Sequence, residues 1–240
     1  MKIKNFLFSV YQWIICVPIV IVLTLLTSIF TIILSPIFPN HEISYLPARW
    51  WSKATCGLFF IKVKVKGLEK IEKGKSYVFA ANHQSMFDIF VIYGWLPVRF
   101  KWIMKKELRK VPFVGLASEM AGHIFIDRSN AHAAKLSIEK AEKQLKKGNS
   151  IVIFPEGTRS TNGQMRKFKK GAFQIAADLA LPIVPVTIKG SFERLSKTSF
   201  KVKPGVIEMI IHQPIEVTPY LPDRIPDLMK TSWEMIHSVL

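Results

Sequence analysis

A long uncharged segment at the start of the chain limits what this protein can fold into. No Asp, Glu, Lys or Arg occurs from position 5 to position 41, and a helix needs about 20 apolar residues to cross the core of a bilayer. A cleaved signal peptide has a shorter apolar region, about 7–15 residues, and a small-x-small cleavage motif. The segment has neither feature, so we expect residues 1–45 to form a retained helical membrane anchor and residues 46–240 to form the body of the protein.

The prolines of this anchor leave its shape open. Pro18 removes a helical hydrogen bond inside the apolar run, and Pro36 and Pro39 end the run. The segment could therefore form one tilted span or a bent hairpin that lies in one leaflet. Basic residues flank it on both sides, so the positive-inside rule assigns no orientation. These flanking residues are Lys2, Lys4, Arg49 and Lys53.

The chain is strongly basic, with 34 Lys and Arg against 17 Asp and Glu and a net charge of +17. Nucleic acid and anionic membrane are the two usual partners of such a surface. No nucleic-acid-binding motif is present, and the apolar anchor favours anionic membrane lipid. Cys16 and Cys56 have no close partner in the sequence, which argues against a Cys-based zinc site and a disulfide framework.

Short apolar runs alternate with helical patterns from residue 59 onwards. Strict alternation over 61–67 predicts a strand with one solvent-exposed face, and 77–80 predicts a buried strand. Further strands are predicted at 124–126, 151–154, 183–188 and 206–211, and helices at 129–148, at 170–181 and in the tail. Strands that alternate with helices indicate an α/β fold with a largely parallel sheet covered by helices.

Polar clusters follow three of the predicted strands. In sheets of this kind, ligands bind beyond the carboxyl ends of the strands, so clusters at that edge are expected to share a site. The clusters are Asn82-His83, Asp127-Arg128 and Pro155-Glu156-Gly157-Thr158-Arg159.

His83 and Asp88 are the pair best suited to chemistry. If the chain turns at Gln84 and begins a helix, the Asp88 carboxylate can keep one imidazole nitrogen protonated and leave the other free as a base. The alternative is a helix-capping residue beside a histidine that takes no part in chemistry. No Gly-x-Ser-x-Gly nucleophile motif accompanies the pair. A His-Asp pair without a protein nucleophile suits a base that activates a hydroxyl group of the substrate.

The turn at 155–159 carries the residue types that bind phosphate. The backbone amide of Gly157 and the guanidinium of Arg159 could bind a phosphate group, or Glu156 and Arg159 could pair in a purely structural turn. Basic clusters at 101–110 and 159–170 adjoin this turn, and one or two of their residues could also bind phosphate. No metal site is predicted, because the histidines lack companions at ligand spacing.

Four blocks of this sequence, in this order, resemble the glycerolipid acyltransferases, most closely the bacterial 1-acylglycerol-3-phosphate (lysophosphatidate) acyltransferases. The first block contains the His-x4-Asp pattern of His83 and Asp88. The blocks are residues 82–88, 122–128, 154–160 and 181–186.

This resemblance implies that residues 46–240 are a catalytic domain with a glycerol-3-phosphate acyltransferase-like fold. The implied reaction transfers an acyl chain from acyl-CoA or acyl-carrier protein to the 2-hydroxyl of lysophosphatidate, giving phosphatidate for phospholipid biosynthesis without a cofactor. His83 would be the general base, and Asp88 would orient it and stabilise its positive charge.

The resemblance also implies a substrate site and a location. The substrate-binding residues would be Glu156, Gly157, Thr158 and Arg159, with Arg128 and Lys105 as further phosphate contacts. The enzyme would lie in the bacterial inner membrane with its active site facing the cytoplasm. Two alternatives remain open: a different acceptor, such as another lysolipid or glycerol 3-phosphate, and a non-catalytic module that binds anionic lipid.

Overall fold

The computed structural model describes residues 2–127 and 149–240. Helix α1 (Lys2–Tyr11) passes through a π-helical turn (Gln12–Cys16) into helix α2 (Val17–Ile37). In a continuous α-helix the ring of Pro18 would overlap the carbonyl of Ile14. The wider turn avoids this overlap, and Val17 donates its N–H to the Gln12 carbonyl five residues earlier.

The long N-terminal helix packs against the helix that follows it. The helical run Phe6–Ile37 is long and apolar enough to cross a membrane, and 11% of its most apolar window is buried. After a short turn, helix α3 (Glu42–Leu58) packs back against α2, and Trp51 Nε1 donates a hydrogen bond to Thr24 Oγ1 at 3.0 Å. The apolar segment is therefore a helical run that includes a π-helical turn and packs against α3, and not a hairpin.

A seven-stranded sheet in the described residues has the order β1-β7-β6-β2-β5-β3-β4. Strands β6, β2, β5, β3 and β4 are mutually parallel, whereas β7 runs antiparallel to β6 and pairs in parallel with β1. The bounds are β1 Ile61–Lys66, β2 Val78–Ala81, β3 Phe100–Lys105, β4 Ile124–Ile126, β5 Ser150–Ile153, β6 Ile183–Lys189 and β7 Gly205–Ile211. The predicted α/β fold with a largely parallel sheet is confirmed.

Helices cover both faces of the sheet. Phe79 and Val152 point into a core beneath α3 and α4, whereas Val78 and Ile151, their neighbours in the strands, point into a core beneath α6 and α8. The remaining helices are α4 Phe87–Trp95, α5 Val114–Met120, α6 Lys170–Asp178, α7 Ser191–Arg194 and α8 Ile225–His237. Short 3-10 turns occupy Leu68–Lys70, Lys106–Lys110 and Thr218–Tyr220.

Strand β3 is the main element that the sequence pattern did not predict. Its residues were assigned to a basic cluster because of Lys101 and Lys105. Lys101 is in fact buried, and its ammonium donates to the Ala121 carbonyl at 2.6 Å. Its burial and this bond place the lysine in the packed sheet and not on the solvated surface, and the burial lowers the pKa of Lys101 to about 8.

Other boundaries differ from the sequence expectations or lie beyond them. Helix α6 ends at Asp178, three residues before the predicted end, and α3, α5 and the full length of α8 were not anticipated. The helix predicted at 129–148 lies outside the described residues. The division into segments 1–45 and 46–240 falls inside α3 and stays a prediction.

Candidate active site

The residue that follows strand β2 is hydrogen-bonded to the neighbouring strand β6. The Asn82 side chain accepts the N–H of Ile188 at 2.7 Å and donates to the Ile188 carbonyl at 2.9 Å. Asn82 is fully buried, so these two bonds satisfy its amide and fix the point where the chain leaves the sheet. His83 follows at once, at the carboxyl edge where a site was expected.

One carboxylate oxygen organises the turn between β2 and α4. Asp88, fully buried in the first turn of α4, accepts hydrogen bonds at Oδ2 from His83 Nδ1 at 2.9 Å and from the N–H groups of Gln84 and Ser85 at 2.7 and 2.8 Å. Because a carboxylate accepts, Nδ1 carries the proton and Nε2 is left with a lone pair. The arrangement is that of an oriented general base.

Aromatic rings fix the plane of this imidazole. The Phe154 ring lies parallel to His83, with centroids 3.9 Å apart and an interplanar angle of 9°, and Trp102 stacks on Phe154 at 5.3 Å. Phe154 follows directly after β5, which is the neighbour of β2 in the sheet. The sequence pattern placed Phe154 in a motif but gave it no role; in the structure its ring stacks on the His83 imidazole and restricts rotation of that ring.

Glu156 holds two loops together through backbone bonds. Its Oε1 accepts the His83 N–H at 2.7 Å, and its Oε2 accepts the Arg166 N–H at 2.8 Å. Burial raises the pKa of Glu156 to about 7, and the two backbone hydrogen bonds oppose that rise. No ion pair joins Glu156 to Arg159 within the described part of the chain, so the paired structural turn considered from the sequence is not formed.

The turn after β5 is anchored to the His83 loop as well. Gly157 has a positive φ of 75°, its N–H donates to the Phe154 carbonyl at 3.0 Å, and Ser160 donates its N–H to the His83 carbonyl at 2.9 Å. The Gly157 amide, which we expected to bind phosphate, thus closes the turn in this structure. Thr158 and Arg159 are half-buried beside it.

Two lysines, Lys169 and Lys197, lie against this turn. Lys197 Nζ donates to Thr158 Oγ1 at 3.2 Å, and a Cβ at position 157 would lie 3.3 Å from Lys169 Nζ. Lys169 belonged to a predicted basic cluster, but Lys197 follows a different strand and carried no local signal. Together with Arg159, which is part of the turn, these lysines make this region positively charged.

The remaining predicted phosphate contacts are less closely connected to His83. Lys105 is exposed at the end of β3, and alternation along the strand places it on the side of Ile103, opposite Trp102. Arg128 lies outside the described residues. Its neighbour Asp127 pairs with Lys106 at the exit of β4, two strands beyond β5. The structure therefore brings together the first and third polar clusters, and the second is more distant.

Metal ligands are not grouped at this site. Within residues 2–127 and 149–240, no set of three or more His, Cys, Asp and Glu side chains is placed to hold a metal ion. The absence of a cofactor stays a prediction.

Comparison with known proteins supports a relationship at the level of sequence and fold. A family model described as Acyltransferase matches residues 62–189, which include His83, Asp88 and the turn at 155–160. The chain is 36% identical over 183 residues to a 1-acyl-sn-glycerol-3-phosphate acyltransferase of Limnanthes douglasii, covering 76% of this chain and 63% of that protein. It is 34% identical over 172 residues to the human 1-acyl-sn-glycerol-3-phosphate acyltransferase alpha, covering 71% and 61%.

A crystal structure extends the likeness to the N-terminal helices. The 1-acyl-sn-glycerophosphate (LPA) acyltransferase PlsC from Thermotoga maritima superposes with a TM-score of 0.78 at 28% identity, covering 98% of this chain and 94% of that one. The chain spans less than two thirds of the two curated relatives above. The family model nevertheless covers more than half of the chain and includes the His-Asp pair. The chain therefore belongs to the acyltransferase family.

Proposed function

We propose that this protein transfers an acyl chain from a thioester donor to the 2-hydroxyl of 1-acylglycerol 3-phosphate, giving phosphatidate. The observation that carries the proposal is the bond from His83 Nδ1 to the buried Asp88 carboxylate, which leaves Nε2 available to a substrate hydroxyl. The names of the similar plant and human proteins and of the Thermotoga enzyme support this acceptor.

The geometry supports direct attack by the substrate hydroxyl. Nε2 of His83 takes the hydroxyl proton as the oxygen attacks the thioester carbon, and Asp88 stabilises the imidazolium that forms. The tetrahedral intermediate then expels the thiolate, which receives that proton from His83. The new ester bond replaces the C–S bond, and a free thiol leaves.

Ser85 does not act as a nucleophile in this scheme. Its hydroxyl donates to the Leu195 carbonyl at 2.7 Å and accepts the Phe87 N–H at 3.2 Å. Ser85 is fully buried, so both hydrogen-bonding functions of the hydroxyl serve the turn. An acyl-enzyme intermediate is therefore not part of the proposal.

The positive turn near His83 is suited to the acceptor phosphate. Lys169 and Lys197 lie against Gly157 and Thr158, Arg159 follows in the same turn, and the nearby carboxylate of Glu156 accepts two backbone N–H groups. We assign the phosphate to these cations, which act together with Gly157 and Thr158. Glu156 then acts by positioning the two loops, and Lys105 and Arg128 remain proposed phosphate contacts.

Donor and location belong to the same proposal. Acyl-CoA and acyl-carrier protein both supply a thioester, and no cofactor is required by the scheme. The apolar helix Phe6–Ile37 is suited to a membrane anchor, and we place the enzyme at the bacterial inner membrane with its active site facing the cytoplasm, in contact with anionic lipid.

The test is thiol release from palmitoyl-CoA by the purified full chain in detergent, with and without lysophosphatidate. We expect acceptor-dependent release that is lost by about 10²–10⁴-fold in His83→Ala, with membrane retention unchanged. Acyl-carrier protein is tried as the donor in parallel. Turnover retained in His83→Ala would remove His83 from the mechanism, and vesicle binding without turnover by either donor would favour the lipid-binding module.

The acceptor is tested separately with Arg159→Ala. We expect this variant to lose more activity on lysophosphatidate than on a lysolipid without a phosphate monoester, because Arg159 pairs with the phosphate. An equal loss on both acceptors would argue against Arg159 as a phosphate ligand and would favour a different acceptor.

A further inference from the structure

The loop between α7 and β7 is positively charged and carries one highly exposed aromatic ring. Phe200 is 79% exposed, more than the other large apolar side chains in the described residues. Lys197, Lys201 and Lys203 are exposed around it, and no acidic residue occurs between Glu193 and Glu208. We call residues 195–203 the basic loop. An exposed phenylalanine among lysines is unfavourable in water alone and suits the boundary between anionic headgroups and acyl chains.

The basic loop is fastened to the anchor helix by a buried side chain. Gln12, 3% exposed in the π-helical turn, donates through Nε2 to the Phe200 carbonyl and accepts the Val202 N–H at Oε1 at 2.9 Å. Both bonds go to backbone groups, so they fix the path of the loop and leave the ring of Phe200 outside. The loop therefore keeps a set position relative to the segment that anchors the protein.

Phe60 extends this surface along α1. Its ring is 60% exposed and lies 5.7 Å from that of Tyr11 and 6.4 Å from that of Phe8. The Phe60 carbonyl accepts the N–H of Gly205, just after the basic loop. The anchor helix, Phe60 and the basic loop are thus continuous with one another.

The other end of the basic loop contacts the active site. The Leu195 carbonyl accepts the hydroxyl of Ser85 in the His83–Asp88 turn at 2.7 Å, and Lys197 donates to Thr158. The basic loop therefore contacts the N-terminal helix through Gln12 and the candidate active site through Ser85 and Thr158.

We propose that the basic loop is a second membrane contact, in which Phe200 enters the interface and Lys201 and Lys203 bind anionic headgroups, so that the active site opens at headgroup level. The inference rests on the proposed function, because it explains how a membrane-resident acceptor reaches His83. Each lysine near an anionic surface is expected to strengthen the contact by about fivefold.

The first experiment measures the depth of the loop in the full chain. Cys16 and Cys56 are buried, so a single Phe200→Cys variant can carry an environment-sensitive NBD dye and be reconstituted into vesicles of phosphatidylcholine and phosphatidylglycerol. Gln213→Cys is the matched control, since it is exposed beside the amino end of β6, away from the site. We expect a lipid-borne spin label to quench the dye at 200 and aqueous iodide to quench the dye at 213. Iodide quenching at 200 as strong as at 213 would overturn the proposal.

The second experiment separates the loop from the chemistry. Lys201→Gln/Lys203→Gln is compared with Lys62→Gln/Lys64→Gln, which removes the same charge from β1 on the sheet face opposite α3. On anionic vesicles containing lysophosphatidate, we expect the loop variant to lose about tenfold or more in kcat/KM and the control little. On a soluble short-chain acceptor both should match the parent chain. Equal activity of both variants on vesicles would contradict the second contact. A parent chain inactive on both acceptors would overturn the proposed function while the NBD result still decides the loop.

Discussion

At the residue scale, the chemistry depends on how Asp88 is held. Three donors converge on Oδ2, whereas Oδ1 is buried and has no hydrogen-bond partner among the described residues. The negative charge is therefore concentrated on the oxygen that faces His83. In the proposed mechanism, this arrangement favours the imidazolium form of His83 that would appear as the substrate hydroxyl loses its proton.

Replacing Asp88 with Asn tests the charge while keeping the shape. The Asn oxygen can accept the same three bonds, and its NH₂ group would occupy the site of Oδ1, where no hydrogen-bond partner lies among the described residues. We expect the fold to persist with a loss of stability of about 1–3 kcal/mol. Turnover should nevertheless fall by about 10²–10⁴-fold, because the imidazolium loses its counter-charge. Thiol release and a thermal melt of the same sample check both parts. A variant that stays folded and keeps more than about a tenth of the parent activity would show that the charge of Asp88 is not needed.

Glu156 should give the fold a measurable pH dependence. Burial raises its pKa to about 7 in the folded protein, above the ordinary value of 4.5 for glutamic acid, so the folded chain binds this proton more tightly than the unfolded chain. This contribution is fully present below about pH 4.5 and is lost as the pH rises through about 7, by up to about 3 kcal/mol. We expect the free energy of unfolding in detergent to fall between about pH 5 and about pH 8.

Glu156→Gln supplies the control for that measurement. The amide cannot titrate, so the part of the pH dependence due to Glu156 should disappear. The variant should also be less stable overall by about 1–3 kcal/mol, because its NH₂ group faces one of the two N–H donors. Identical pH profiles for parent and variant would show that Glu156 does not titrate in this range.

At the scale of the elements, the turn after β1 depends on close approach of two backbones. Gly67 has a φ of 83°, and a Cβ there would lie 2.1 Å from the Ile211 carbonyl oxygen at the end of β7. Gly74 has nearly the same φ of 84° with no atom within 4 Å of its Cβ position. The two glycines therefore separate the cost of left-handed backbone from the cost of a clash.

We expect Gly74→Ala to destabilise the protein by about 1–2 kcal/mol through its backbone alone. Gly67→Ala should cost about 3 kcal/mol or more, because the methyl group must also displace β7 from β1. Chemical denaturation of the two variants in detergent gives the comparison. Equal losses of stability in the two variants would mean that β7 can move away from β1 without a measurable change in the free energy of unfolding.

The elements also show where sequence patterns predict structure and where they do not. The apolar run at 77–80 and the alternation over 61–67 predicted strands that the structure has at Val78–Ala81 and Ile61–Lys66, because each pattern matches the faces of a strand. Strand β3 was not predicted, because a lysine in a sequence pattern indicates a surface position. In the structure Lys101 is buried, and its ammonium donates to the Ala121 carbonyl. That carbonyl is 20 residues away, so no local pattern reveals the partner.

At the scale of the whole molecule, helix α3 joins the anchor to the sheet. It packs on α2 and on α4, and the hydroxyl of its Tyr45 binds both backbone groups of Phe100 at the start of β3, accepting the N–H at 2.9 Å and donating to the carbonyl. Tyr45 is buried, so no water replaces these bonds. A division of the chain after residue 45 would separate Tyr45 from Phe100 and remove these hydrogen bonds.

We therefore expect a chain of residues 39–240 to be more stable than one of residues 46–240, by about 2 kcal/mol or more. Circular dichroism and chemical denaturation in detergent measure the difference. In the full chain, Tyr45→Phe should cost about 1–3 kcal/mol, since it leaves the Phe100 groups unpaired. If the two truncated chains are equally stable and Tyr45→Phe is neutral, the boundary at residue 45 holds.

The sequence by itself determined the fold class, the long apolar helical segment and the contact between His83 and Asp88. These depend on local periodicity and on residues five positions apart, which a short turn brings together. Only the tertiary structure decided that Glu156 bonds to the His83 and Arg166 backbones, that Phe154 stacks on the base, and that Gln12 holds the loop at Phe200. Gln12 and Phe200 are 188 positions apart, and His83 and Glu156 are 73 positions apart. Such pairs come together only when the strands and helices have packed.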